Sequence, residues 1–308
     1  MAEHSNNGLQ RAVKPAPCVV VSNYKGGVGK SLTCRLLAQG IIERKDFNKG
    51  KRVLIVEMDP QGNLGDRWGL YEADMQADKI PIEHPDLEGE RSALTDLWLP
   101  QLGAGPDSLI PVPYETFDEG IDFVPVNEAH LHQINRTADA KTLVELSELM
   151  ISWLRSEQIA ERYSVVLIDT QPTKTPIIDI ALLAGTHCYI PFIPQPQAVR
   201  GVYSILTYIV NRDSSRRDGT SIKMLGLLPN QYEERVSKQR ERLLALRKHP
   251  VYSAMLMPFH LAKRTIYSDS DDGLYDPGSM SKQTLNPQAQ AEVKRFTDYI
   301  IKKLQEDN

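Results

Sequence analysis

A doubly wound α/β fold, with a mostly parallel sheet and helices on both faces, is what this sequence predicts, and three observations predict it. Continuous apolar runs of strand length recur at 18–21, 53–56 and 165–168, as in strands buried on both faces of a parallel sheet. Segments with helical spacing of apolar residues alternate with them. The first run passes through a glycine-rich turn directly into a helical pattern, the opening of a βαβ unit.

In chain order, residues 1–16 are polar, run into Lys14-Pro15-Ala16-Pro17 and read as a flexible lead-in, since proline cannot donate to a sheet ladder. The segment 31–43 places Leu32, Leu36, Leu37 and Ile41 at helical spacing, and Asn48, Gly50 and Lys51 break the chain before the strand at 53–56. Further strands are expected at 187–193 and 224–228, and further helices at 140–155, 200–211, 233–248 and 288–304. No composition shift marks a linker, so 17–308 reads as a single domain. Residues 66–110 are less regular and form a candidate insertion or mobile surface region.

The chain has 308 residues, 41% hydrophobic and 25% charged, which excludes both a disordered polymer and a small stapled scaffold. No apolar run approaches the roughly 18 to 20 residues of a membrane helix. The N-terminus lacks an apolar signal core and carries Ala2 where myristoylation needs glycine, so the expected location is cytoplasmic. Cys18, Cys34 and Cys188 show no Cys-x-x-Cys spacing and read as reduced structural thiols. Net charge is -4, but residues 200–308 hold 18 basic against 13 acidic side chains while the remainder holds 18 against 27. That asymmetry points to a basic face in the C-terminal part, suited to nucleic acid or anionic lipid.

The most informative segment is Ser22-Asn23-Tyr24-Lys25-Gly26-Gly27-Val28-Gly29-Lys30-Ser31, set between strand and helix. Glycines let the backbone turn its N–H groups towards phosphate oxygens, and the helix N-terminus adds partial positive charge. Lys30 suits β/γ-phosphates and Ser31 suits Mg²⁺. Two other strands end in carboxylates: Asp59, in Asp59-Pro60-Gln61-Gly62-Asn63, and Asp169, in Asp169-Thr170-Gln171-Pro172. A carboxylate beside a phosphate site either orients a water or holds a metal.

Lys25-Gly-Gly-Val-Gly-Lys-Ser resembles the deviant Walker A motif of the ParA/MinD group of P-loop ATPases. The resemblance implies a P-loop NTPase fold with ATP and Mg²⁺ as cofactors, bound by Lys25, Gly26, Gly27, Val28, Gly29, Lys30, Ser31 and Leu32. In that family the extra lysine, here Lys25, reaches across a nucleotide-sandwich dimer to the partner's phosphates. By the same resemblance Asp59 belongs to switch I beside the attacking water and Asp169 to Walker B, with Ser31, Asp59 and Asp169 around the metal and Lys25, Lys30 and Asp59 serving catalysis. Gly226-Leu227-Leu228-Pro229-Asn230 resembles the segment whose Asn contacts adenine, and Met257-Pro258 the one lining the base's other side. Two departures stand out: Leu32 where the family often has Thr, and Gln171 where it usually has Pro.

The resemblance implies a plasmid-type partition ATPase: an ATP-dependent homodimer that binds nonspecific double-stranded DNA and is released when a ParB-like centromere-binding protein stimulates hydrolysis. Its expected location is the nucleoid, and the sixteen residues before the first strand leave no room for a helix-turn-helix extension. Arg235, Lys238 and Arg242 share one helical face with Arg240 nearby, a pattern that can track DNA phosphates; Lys263 and Arg264 are further candidates. The rival within the class is a MinD-like membrane-associated positioning ATPase, for which Val293, Phe296, Ile300, Ile301 and Leu304 would form the lipid face of a terminal helix. No membrane association is expected, because such a stripe more often packs on its own sheet. A nucleotide-gated scaffold positioning another cargo is the alternative from a different class. Iron-sulfur carriers need cysteine ligands at spacings absent here, and the first loop lacks the Gly-x-Gly-x-x-Gly register of a dinucleotide oxidoreductase.

Overall fold

The computed structural model describes residues 13–72, 78–196, 198–214, 216, 219–268 and 287–306. Most of the expected lead-in (1–12) and five residues of the irregular segment (73–77) lie outside them. Seven strands form one sheet: β1 (Cys18–Val21), β2 (Arg52–Met58), β3 (Tyr114–Glu115), β4 (Ile121–Val124), β5 (Tyr163–Thr170), β6 (His187–Phe192) and β7 (Lys223–Pro229). Their order is β3-β4-β2-β5-β1-β6-β7, and every pairing is parallel except the short edge pair β3–β4. The helices are α1 (Lys30–Glu43), α2 (Lys45–Asn48), α3 (Asn63–Arg67), α4 (Leu99–Leu102), α5 (Glu128–Thr137), α6 (Ala140–Leu154) and α7 (Glu157–Arg162). They continue with α8 (Pro176–Ala184), α9 (Ala198–Asp213), α10 (Ser237–Lys248), α11 (Tyr252–Met255), α12 (Thr265–Ser268) and α13 (Pro287–Glu306).

The continuous apolar runs are explained by cover on both faces. Val20, Leu54, Val56, Val166 and Ile168 point into one core, closed by α6 and α8 through Met150, Ile177 and Ile180. Val19, Val21, Val53, Ile55, Val165 and Leu167 alternate into the other, closed by α1 and α13 through Leu36, Leu37, Phe296 and Ile300. This is the doubly wound arrangement expected.

Elements without a clear period escaped the sequence reading. In α8 every residue from Ile177 to Ala184 is buried, so no polar face marks a helical period. The strand β4 is short and carries Asp122, which is fully buried and bonded by Arg52 (2.8 Å), Arg162 (2.8 Å) and the Tyr163 hydroxyl (2.7 Å). The helices α5 and α7 are polar and owe their starts to caps: Asn127 accepts from His130 N–H (3.2 Å) and Ser156 from Ile159 N–H (3.4 Å).

Two expectations change. The described part of 66–110 is no loose insertion: Leu94, Leu97 and Trp98 are buried in the first core, and Trp98 Nε1 donates to Leu146 O (3.1 Å). The helix expected from 233 starts at Ser237, because Val236 is extended (φ -86°, ψ 99°) and Tyr232 N–H bonds Leu261 O (3.0 Å), drawing the chain away from helical geometry. Arg235 therefore sits in a turn, not on a helical face with Lys238 and Arg242.

The terminal stripe is resolved by packing. Val293, Phe296, Ile300, Ile301 and Leu304 are all buried against α1 and the sheet, a burial worth on the order of 10 kcal/mol. Gly40 of α1 meets Thr297 so closely that any side-chain carbon at 40 would overlap the Thr297 hydroxyl. No helix among the described residues is long and apolar enough to cross a membrane.

Candidate active site

The carboxyl ends of β1, β2, β5 and β7 converge at the point where the winding reverses around β1, the place where open α/β sheets bind ligands. A cavity of about 580 Å³ opens there. Gly26, Gly27, Gly29, Lys30, Ser31 and Leu32 form one wall, and Asp59, Gln61, Asn63, Leu64 and Asp66 form another. Asn230, Gln231, Ala262, Lys263, Arg264 and Tyr267 line the far end.

The glycine-rich loop is pinned at several points. Asn23 accepts from Lys25 N–H (3.0 Å) and donates to Pro191 O on β6 (2.8 Å). Asn230 Nδ2 donates to Val28 O (2.8 Å), and Gln231 Nε2 to Gly27 O (2.9 Å). Gly29, the N-cap of α1, has φ 82° and lies against Asn230, so both its backbone conformation and the space beside it require glycine. The loop's N–H groups and the start of α1 together make an anion cradle.

Charge is concentrated beneath that cradle. Lys30 is 7% exposed, and burial lowers its pKa against the opposing pull of Asp169 and Asp59. Asp169 is fully buried, and both its oxygens lack a hydrogen-bond partner. Its pKa is pushed up to about 7, desolvation outweighing the opposing pull of Lys30 and Ser31. An orphaned buried carboxylate is costly and fits a divalent cation or that cation's bound water. Asp59 is 6% exposed and accepts from Gln61 N–H (3.0 Å) in the turn that follows β2.

Lys25 behaves differently from Lys30. It is exposed, is absent from the cavity's lining, and donates from Nζ to Gln195 Oε1 (2.9 Å) on the loop after β6. The loop thus carries one lysine inside its own anion site and one outside it.

An AAA-domain family profile matches residues 16–219 of this chain, spanning the cradle, Asp59 and Asp169. The chain belongs to the ParA family of P-loop ATPases. It is 27% identical over 236 residues to an uncharacterised Pseudomonas putida protein, covering 76% of this chain and 77% of that one. Protein IncC of Escherichia coli is 25% identical over 291 residues, 93% of this chain and 70% of its own. A ParA family protein of Mycoplasma pneumoniae is 23% identical over 283 residues, 91% and 95% of the two chains. Among solved structures, a putative plasmid partition protein of Borrelia burgdorferi bound to AMPPNP superposes with a TM-score of 0.65 at 16% identity, covering 94% of this chain and 99% of that one. A cobyrinic acid a,c-diamide synthase of Mycobacterium smegmatis with bound ADP and magnesium gives 0.66 at 20% identity, covering 95% and 97%. These likenesses establish the shared fold.

Against the ParA-family pattern, the two departures have local explanations. Leu32 is 9% exposed and lines the cavity, and the neighbouring Thr33 does not replace the lost hydroxyl, because its Oγ1 donates to Lys30 O (3.0 Å) and accepts from Tyr189 (3.2 Å). Gln171 is buried and donates to Thr175, the N-cap residue of α8, while Pro172 still lines the cavity. The glutamine ties this turn to α8.

Not all expected residues meet at the cavity. Val28 is absent from the lining: its side chain is buried, and its carbonyl accepts from Asn230. Pro258 is exposed and outside the lining, while its neighbour Met257, whose N–H bonds Leu227 O (3.0 Å), is buried in the second core. Lys263 and Arg264 line the far end of the cavity. Arg264 is held by Glu292 (2.6 Å) and Gln288 (3.3 Å) of α13, and Lys263 by Glu233 (3.2 Å). Lys238, Arg240 and Arg242 are exposed on α10 with Gln239, Leu243 and Leu246 turned inward. The sequence reading missed Gln231, Tyr267 and Glu57; only Gln231, next to Asn230, had a neighbouring signal.

Proposed function

We propose that the protein is an ATP-dependent DNA partition ATPase acting as one domain over 17–308. ATP and Mg²⁺ bind in the cavity, two ATP-bound copies associate face to face, and the dimer coats DNA without reading its sequence. A ParB-like centromere-binding partner then stimulates hydrolysis and releases the dimer, giving a nucleoid-associated cycle. The observation that carries this reading is Lys25, a lysine of the phosphate loop that stands outside its own phosphate site and points to a role on a second copy.

Within the site, Lys30 and the loop N–H groups neutralise the phosphates, while Asn230 and Gln231 keep the loop in shape. Ser31 and Asp169 would hold Mg²⁺, directly or through water, with Asp59 close by. A Mg²⁺ held there would supply charge neutralisation for the phosphates. Asp59 orients the attacking water, because phosphoryl transfer needs alignment more than covalent help. Arg264 is the arginine lining the cavity, and its charge is engaged by Glu292, which supports slow intrinsic turnover.

Lys238, Arg240 and Arg242, with Arg235 in the preceding turn, supply exposed positive charge that suits phosphate tracking. The burial of the apolar stripe of α13 speaks against a lipid-inserting helix. The test is binding of the purified protein to random-sequence duplex DNA and to anionic liposomes with ATP, ADP or no nucleotide, across a salt series. ATP-dependent, salt-sensitive DNA binding is expected; liposome binding alone would move the protein to the membrane branch, and binding to neither would favour a protein-positioning scaffold.

A further inference from the structure

The segment that carries Asp59 is held by a device that neither the motif nor the family membership assigns. Glu57 lies on β2 two residues before Asp59, and its carboxyl group is fully buried beneath the start of α3. Oε1 accepts from Leu64 N–H (3.1 Å), and Oε2 from Gly65 N–H (3.3 Å) and the Tyr71 hydroxyl (3.0 Å). Tyr71 Oη in turn accepts from Val126 N–H (3.1 Å), just beyond β4. The N-cap residue of α3 is Gly62, which has no side chain to offer, so Glu57 satisfies N–H groups of the first turn that a cap residue would otherwise serve.

Packing reinforces the bonds. The Tyr71 ring lies so close to Gly62 and Gly65 that a side-chain carbon at either would collide with it. On the outside, Lys79 Nζ donates to Gln61 O and to the Asp66 carboxylate and sits 5.6 Å from the Tyr71 ring centre. Asp59, Gln61, Asn63, Leu64 and Asp66, all facing the cavity, are thus clamped from below by Glu57 and Tyr71 and from outside by Lys79.

We propose that Glu57 and Tyr71 are positioning residues for hydrolysis: they fix the turn after β2, so that Asp59 stands ready before nucleotide arrives. This rests on the reading of Asp59 as the residue that orients water. A buried acid is expensive unless its partners need it, and here three donors converge on two oxygens. A displacement of about 1 Å at a reacting group can cost about a hundredfold in rate, so losing the Tyr71 anchor is expected to act on turnover and not on affinity.

The experiment uses the full chain with Tyr71→Phe, Glu57→Gln, Asp59→Ala and the Tyr71→Phe/Asp59→Ala pair. Steady-state ATP hydrolysis, affinity for a fluorescent ATP analogue and melting temperature are measured for each. Tyr71→Phe keeps the ring against Gly62 and Gly65; expected are affinity within about twofold of the parent, kcat lower by about tenfold or more, and no further loss when Asp59 is already Ala. Glu57→Gln should behave alike where its melting temperature shows it folded. Parental kcat in Tyr71→Phe, or a loss found equally in the Asp59→Ala background, would overturn the proposal while leaving Asp59 in place. Parental turnover in Asp59→Ala alone would instead overturn the assignment on which it rests.

Discussion

Replacing Phe296 by alanine measures how firmly α13 belongs to the core. The ring is fully buried, stands edge-on to Tyr189 at 5.4 Å and lies 6.4 Å from Phe259. Truncating a buried phenylalanine costs about 3–5 kcal/mol in lost transfer energy and residual cavity. About 1 kcal/mol of that belongs to the aromatic pairing. Glu292 and its partner Arg264 stay in place one turn earlier, so the helix keeps an anchor and the cavity closes only partly. Urea unfolding followed by circular dichroism should show the midpoint falling by about 1 M or more, given slopes of about 1–3 kcal/mol/M. Phe296→Leu should lose much less, because it preserves most of the volume. A loss below about 1 kcal/mol for Phe296→Ala, accompanied by liposome binding of the parent that the variant lacks, would refute the packed-helix reasoning and restore the membrane reading.

Lys30→Ala should weaken nucleotide binding by at least about a hundredfold in calorimetry, since it removes the buried cation of the phosphate site and its electrostatic pull on Asp169. Lys25→Ala should leave affinity of the monomer unchanged and depress ATP-dependent dimerisation in analytical ultracentrifugation; a large affinity loss would place Lys25 inside its own site. The double change Lys238→Glu/Arg242→Glu should abolish DNA retention in a filter assay with melting temperature unchanged. Asp96, which accepts from Ala93 N–H (2.7 Å), is pushed up to about 6 by burial, so the folded state holds its proton more tightly than the unfolded chain. Its contribution is present below about pH 4 and lost as pH rises through about 6. Asp96→Asn should therefore gain about 1–2 kcal/mol over the parent at pH 7 and little at pH 4, read by thermal unfolding.

How much of the site was legible depended on whether its residues sit close together in the chain. The loop from Lys25 to Ser31 is continuous, and each of its residue types is dictated by phosphate chemistry. Asp59 and Asp169 ended apolar runs, and a strand-end carboxylate is conspicuous. Pro258 was misplaced relative to the cavity because a dipeptide says nothing about which of its two side chains turns inward. Gln231 and Tyr267 come from the far ends of other strands and helices, where only the fold brings them to the phosphate loop. Glu57 was hidden within a strand, its partner Tyr71 lies 14 positions away, and Val126, which donates to that tyrosine, lies a further 55 positions on.

Local pattern determined the buried strands, the phosphate loop and the helix that follows it, because strand burial and anion binding both write themselves into neighbouring residues. Even there, periodicity failed for α8, whose residues from Ile177 to Ala184, Asp179 included, are all buried. Tertiary structure alone decided the rest. It turned the stripe of α13 inward onto α1, where five apolar side chains leave solvent and Gly40 admits Thr297. It drew Arg264 to Glu292 at the far end of the cavity, and it left Lys25 outside the cavity that Lys30 occupies. Each of these outcomes turns on which surfaces are desolvated together, a property of the packed chain that no short stretch of sequence contains.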